Sequence, residues 1–227
     1  MEKIKTPKIK ICGITKESEA EYLNEFFVDY AGFVFYEKSK RNVSLKKAEK
    51  IFGYLDQYIK KVAVTVSPDI EMIEMLNDSD FDIIQIHKEV APKVLEKAKK
   101  PVWRAVNISG ASDIQNMTAV FDEKSRGHDK DDREKGITGI LIDAADFGSG
   151  KSFDWTGAKE TLNLDRRWRG MDFILAGGLN PGNVAEGIRI FEPDIVDVSS
   201  GVEGEAGKDR EKIKQFVYKV QRVDYRD

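Results

Sequence analysis

Cysteine is all but missing from this chain: among 227 residues there is one, Cys12. A single thiol excludes an intramolecular disulfide, and the charged N-terminus, MEKIKTPKIK, lacks the apolar core of a secretory signal, so a cytoplasmic protein is expected. Long hydrophobic runs are missing too. Tyr30 to Tyr36, interrupted only by glycine, falls far short of the roughly 20 apolar residues that cross a bilayer, and no membrane partner is expected. Nor does one sign of charge dominate. With 37 Lys and Arg against 40 Asp and Glu, the net charge of −3 provides no field to gather nucleic acid. What remains is a globular composition, 41% hydrophobic and 34% charged, in a length that suits one domain over residues 1–227.

Short β-branched and aromatic runs alternate with helical patterns. The runs are Lys8 to Cys12, Ala31 to Phe35, Lys61 to Val66, Asp82 to Ile86, Pro101 to Val106, Thr138 to Ile142, Asp172 to Ala176 and Asp194 to Val198. Between them helices are expected at Lys16 to Phe27, Ser44 to Tyr58, Pro68 to Leu76, Ala91 to Lys99, Ala111 to Val120, after Asp154, at Pro181 to Phe191 and at Lys208 to Val220. Ser67 before Pro68, Asn180 before Pro181, and Thr15 before Lys16 read as N-caps. Eight such units fit a closed (β/α)₈ barrel or an open doubly wound sheet. An open dinucleotide-binding sheet needs a glycine-rich turn after its first strand, but Cys12-Gly13-Ile14-Thr15 holds one glycine. The glycine pairs come after strands seven and eight, in AGGLNPGN and SSGVEGEAG, where such barrels bind phosphate. The α/β class with a single TIM barrel is therefore the expected fold. One insertion, FDEKSRGHDKDDREKG at Phe121 to Gly136, is almost wholly charged. Its His128, Asp129, Asp131 and Asp132 have no metal-ligand spacing, and it is assigned neither chemistry nor metal.

In a barrel the C-terminal strand ends converge on one mouth. Those ends carry Cys12 after strand one, Arg41 after strand two, Gln85 and His87 at strand four, Arg104 at strand five, Asp143 at strand six and Asp197 at strand eight. A thiol and carboxylates suit proton transfer, and the glycine loops suit phosphate. Each residue also has a plainer role. A lone cysteine is commonly a small buried hydrophobe, an aspartate after a strand commonly caps a helix, Arg41 belongs to the charged run KSKR, and glycines serve to permit positive φ.

KICGIT (Lys10 to Thr15), GFVFYEKSKR (Gly32 to Arg41), QIH (Gln85 to His87), LIDA (Leu141 to Ala144), GSGKSFDW (Gly148 to Trp155), LAGGLNPGNV (Leu175 to Val184), VDVSSGVE (Val196 to Glu203) and GKD (Gly207 to Asp209) cover nearly the whole chain. In this order they resemble the phosphoribosylanthranilate isomerases of tryptophan biosynthesis. The resemblance implies a (β/α)₈ barrel with an irregular fifth unit, a phosphorylated aminosugar as substrate, no cofactor, and a monomer or homodimer. It implies an Amadori rearrangement with Asp143 as general acid and Cys12 as general base. By the same resemblance Arg41, His87 and Asp197 meet the substrate, and Gly148, Gly150, Gly177, Gly178, Ser200 and Gly201 surround its phosphate. The chain departs from the family pattern at Phe147, Lys88 and Thr65, which alters pocket shape and loop flexibility rather than acid or base. Two other readings stay open: a non-catalytic sugar-phosphate-binding barrel, and a related aminoaldose phosphate isomerase, which is expected to carry an aspartate where Cys12 stands.

Overall fold

The structure is a computed structural model that describes residues 6–107, 136–143 and 170–223. Parallel strands close into a barrel in chain order: β1 (Lys8–Cys12), β2 (Tyr30–Phe35), β3 (Lys60–Val66), β4 (Ile83–His87), β5 (Pro101–Asn107), β6 (Gly136–Asp143), β7 (Asp172–Ala176) and β8 (Ile195–Val198). β8 pairs back on to β1, with Lys10 beside Asp197. The barrel expected from the alternating pattern is the fold observed. The expected helices at 111–120 and after Asp154, and the charged run apart from Gly136, lie outside the described residues.

Strands of a closed parallel sheet are buried on both faces, which is why they read as nearly continuous apolar runs. Outward-facing Ile9, Ile11, Phe33, Ile84 and Ile86 pack against helical Leu23, Ile51, Ile73 and Leu76. Each such side chain contributes about 1.5–3 kcal/mol by leaving water. Phe33, Phe52 and Phe81 meet edge to face at 4.9–5.8 Å. Inward-facing Tyr30, Val62, Ile83, Trp103, Leu141, Ile174 and Ile195 fill the barrel itself.

The described helices are α1 (Glu17–Glu25), α2 (Leu45–Phe52), α3 (Ile70–Asn77), α4 (Pro92–Leu95), α5 (Val184–Phe191) and α6 (Arg210–Gln221). Ser44, read as the first residue of its helix, is the cap of α2, accepting from the Lys47 amide. The three expected caps all differ from expectation. Ser67 takes a left-handed conformation, φ 45°, and α3 starts instead after Asp69, whose carboxylate accepts from the Met72 amide at 2.8 Å. Asn180 folds into its own turn, with Oδ1 accepting from the Gly182 amide at 2.8 Å, so α5 begins only at Val184. Thr15 does not cap α1. Glu19 reaches back to accept from the Thr15 and Lys16 amides at 2.6 and 3.1 Å. The last helix starts later than Lys208, because β9 (Glu203–Gly204) and β10 (Gly207–Lys208) form a small hairpin first. Asp209 then caps α6 through the Lys212 amide. α2 ends at Phe52 before Gly53, and α4 is a single turn, both shorter than read from sequence.

Candidate active site

The alternation in KIKIC turns Ile9 and Ile11 toward the helices and Lys10 and Cys12 toward the barrel interior. Lys10 is fully buried, and its Nζ donates to Asp197 Oδ2 at 2.8 Å across the seam between β1 and β8. Room for this comes from Gly32 on β2. A Cβ there would stand 3.1 Å from both Cys12 Sγ and Lys10 Nζ, so thiol and ammonium share the space of a missing side chain. Burial opposes charge on Lys10, but Asp197 and Cys12 outweigh it and hold its pKa above the ordinary value. Burial pushes the Cys12 thiol up, against the pull of Lys10 and Lys208.

A cavity of about 240 Å³ opens over these residues at the C-terminal strand ends. Its wall brings together Cys12 from β1, His87 from β4, Asp143 from β6 and Asp197 from β8, with Gly177, Gly178 and Ser200 from the loops after β7 and β8. Burial raises the Asp143 carboxyl pKa, and the charge of Asp197 raises it further. His87 is pushed down to about 4 by burial and by the Lys10 and Arg104 charges, so it is neutral at pH 7. Its Nε2 lies 2.8 Å from the Gln85 side-chain nitrogen. With that nitrogen donating, the imidazole proton sits on Nδ1. Asp197 Oδ1 is buried without a hydrogen-bond partner, although Oδ2 holds Lys10.

Gly177 and Gly178 have φ of 90° and 62°, conformations closed to most side chains. Asn180 and Asn183 fasten this loop, each donating a side-chain amide to the Gly178 carbonyl at 3.2 and 3.1 Å. Gly201 is not on the cavity wall. It packs so closely on Leu179 that a Cβ would overlap the Leu179 carbonyl oxygen, and its role is close approach of the two loops. Gly148, Gly150 and Phe147 lie outside the described residues.

Arg41 is also off the wall. Its guanidinium holds Glu203 through two bonds of 2.5 and 2.9 Å, and Lys208 and Lys40 reach the same carboxylate at 2.9 and 3.1 Å. Burial alone would raise Glu203, but these cations hold it down to about 2. Lys208, itself buried, also donates to the Ser199 carbonyl at 3.1 Å, and Ser199 Oγ donates to the Cys12 carbonyl at 3.0 Å. The loop after β8 thus fixes the backbone that carries the thiol. Arg104 turns away from the mouth: it shares the outward register of Ile86 and donates to the Ile86 and Lys88 carbonyls at 3.2 and 2.7 Å. Thr65 is equally remote, with its hydroxyl on the Gln85 carbonyl. Lys88, one of the positions read as a departure from the family pattern, stands at φ 58°.

Sequence reading gave no role to Lys10, Glu203 or Lys208. For Lys10 the usable signal is its place between Ile9 and Ile11, two residues before Cys12, which gives both side chains the same inward face. A family profile described as N-(5'phosphoribosyl)anthranilate (PRA) isomerase matches residues 9–219. The chain belongs to this family. It is similar to the N-(5'-phosphoribosyl)anthranilate isomerase of Clostridium acetobutylicum, 39% identical over 221 residues that cover 95% of this chain and 98% of the relative. Among solved structures, the phosphoribosyl anthranilate isomerase of Thermotoga maritima shares 33% identity at a TM-score of 0.78, covering 95% of this chain and 98% of that one. A second, solved in complex with reduced 1-(o-carboxyphenylamino)-1-deoxyribulose 5-phosphate, shares 32% identity at a TM-score of 0.75, with the same coverage. By family the chain is an isomerase of tryptophan biosynthesis.

Proposed function

We propose that this cavity carries out the Amadori rearrangement of N-(5'-phosphoribosyl)anthranilate to 1-(2-carboxyphenylamino)-1-deoxyribulose 5-phosphate, with Asp143 as general acid and Cys12 as general base. The observation that carries it is the pairing of those two groups on one cavity wall, with the carboxyl pKa raised by burial. A carboxyl with an ordinary pKa near 4 is a poor acid at pH 7, and desolvation brings it closer to the working pH.

Asp143 gives its proton to the furanose ring oxygen, the C1′–O bond breaks, and the amine lone pair forms the C1′=N iminium. Cys12, as thiolate, takes the C2′ proton. The C2′–H electrons become the C1′=C2′ bond and the iminium π pair returns to nitrogen, giving an enolamine. Loss of its hydroxyl proton and protonation at C1′ give the ketone. Hydrogens and electrons balance within one substrate, so the rearrangement requires no redox partner.

The open lone pairs of Asp197 Oδ1 suit a sugar hydroxyl, and neutral His87 offers a polar contact without a competing charge. Gly177, Gly178 and Ser200 receive the phosphate, together with Gly148 and Gly150. Arg41 already grips a carboxylate, that of Glu203, through Nε and Nη2, and meets the anthranilate carboxylate with its remaining donors or by exchanging one carboxylate for the other. The test is turnover of freshly generated phosphoribosylanthranilate, followed by loss of its fluorescence. The wild-type protein should turn it over, and Cys12→Ala and Asp143→Asn should not, with unchanged circular dichroism. Normal turnover by Cys12→Ala removes the base assignment, and a folded wild-type protein without turnover points to the sugar-phosphate-binding barrel.

A further inference from the structure

A lysine with no exposed surface inside a barrel is costly to hold, because its charge is taken out of water. Asp197 offsets only part of that cost. An ammonium has three donors, and one of them goes to Asp197 Oδ2 at 2.8 Å. Gly32 on the neighbouring strand shows where the ammonium also lies. A Cβ built there is 3.1 Å from Lys10 Nζ and 3.1 Å from Cys12 Sγ, so both atoms pack against the bare backbone of Gly32, where a side chain would crowd them.

Other charges around the thiol are Asp197 from β8, Lys208 from β10 and Arg41 from the loop after β2. Lys208 is occupied by Ser199 and Glu203, and Arg41 by Glu203. His87 and Asp143 share the cavity wall, the first neutral at pH 7. Of the two buried lysines, Lys208 has its three donors on Ser199 and Glu203, whereas Lys10 places one on Asp197 among the hydrogen bonds of the described residues.

We infer that Lys10 is a positioning residue for the reaction: its buried ammonium, anchored by Asp197 across the barrel seam, stabilises the thiolate of Cys12 and thereby sets how much of the enzyme can take the C2′ proton. The inference rests on Cys12 as the base. Asp197 then has two opposed effects, holding the lysine in place while drawing its charge away from the sulfur. In the empty site burial keeps the thiol protonated, and Lys10 lowers the cost of ionisation until the cationic iminium of the substrate adds its own charge.

Because Cys12 is the sole cysteine, its alkylation rate with iodoacetamide reads this thiol without background. The rate is measured against pH for the wild-type protein, Lys10→Met and Asp197→Asn. Lys10→Met should raise the midpoint by about 1 unit or more, and Asp197→Asn should lower it, since the same lysine then has no competing anion. In turnover, Lys10→Met should lower kcat more than it raises KM and shift the pH–rate profile to higher pH. A folded Lys10→Met protein with the wild-type alkylation midpoint overturns the inference. Should Lys10→Met fail to fold, Asp197→Asn decides, and a midpoint that stays or rises overturns it. Alkylation does not depend on turnover, so unaltered turnover by Cys12→Ala would strike the base assignment separately from the effect of Lys10 on the sulfur.

Discussion

Two levels of the barrel interior use the same inward-facing positions for opposite ends. On β4, β6 and β8 one step of two residues leads from Ile83 to Gln85, from Leu141 to Asp143 and from Ile195 to Asp197. Below, Tyr30 and Trp103 meet edge to face at 5.1 Å among aliphatic side chains. Above, thiol, carboxylates and imidazole surround a cavity. The strand geometry is common to both, so the side chains alone divide a packed plug from a polar cavity. Stability should therefore reside mainly in the lower level and turnover in the upper.

The sharpest way to break that division is in the upper level. Cys12→Ala or Asp143→Asn should lower kcat by about 10²–10⁴-fold while thermal unfolding stays close to wild type. A variant that unfolds instead would make the upper level structural as well. Next comes the plug: Trp103→Ala should cost about 3–5 kcal/mol in denaturant unfolding yet leave KM and kcat per folded molecule close to wild type. Loss of activity without loss of stability would contradict the division.

The rim cluster sharpens the comparison through pH. Glu203 has a folded pKa of about 2, below its ordinary 4.5, so its contribution is complete above pH 4.5 and disappears as pH falls toward 2. Discounted for solvent screening at the rim, the contribution is about 1 kcal/mol. Glu203→Gln should flatten the fall of the urea midpoint through that window, and parallel curves for variant and wild type would show that the cluster adds nothing. The smallest effect is expected at Lys88. Its left-handed backbone, φ 58°, is strained for a side chain, and Lys88→Gly should change the unfolding free energy by about 1 kcal/mol or less, in the stabilising direction.

Local composition reveals some of this architecture and conceals the rest. The strands are visible because β-branched runs separated by helical patterns have few other uses, and Cys12 and Asp143 are visible because they end such runs. Helix starts are harder to place. Ser67 and Asn180 look like caps, but the backbone turns first, and Asp69 and Glu19 reach the open amides better. Arg104 follows a register shift in the pairing of β5 with β6, between Val102 and Trp103, and its outward direction comes from the pairing with Ile86. Lys10 is the most instructive omission. In MEKIKTPKIK it looks like one more solvated lysine, and what buries it is Asp197, 187 positions away. Arg41 is hidden for a similar reason, since Glu203 stands 162 positions on.

The Lys10–Asp197 bond has a consequence for the newly made chain. It lies on the seam where the first strand meets the last, so it can form only after β8 has been synthesised and the ring has closed. Closing so long a loop is among the late and slow steps available to a chain, since the entropy of joining its ends is lost before the contact forms. Until then the cysteine is an ordinary thiol on an open strand. On the role inferred for Lys10, the ionisation behaviour of one sulfur atom becomes a gauge of whether the two ends of the protein have found each other.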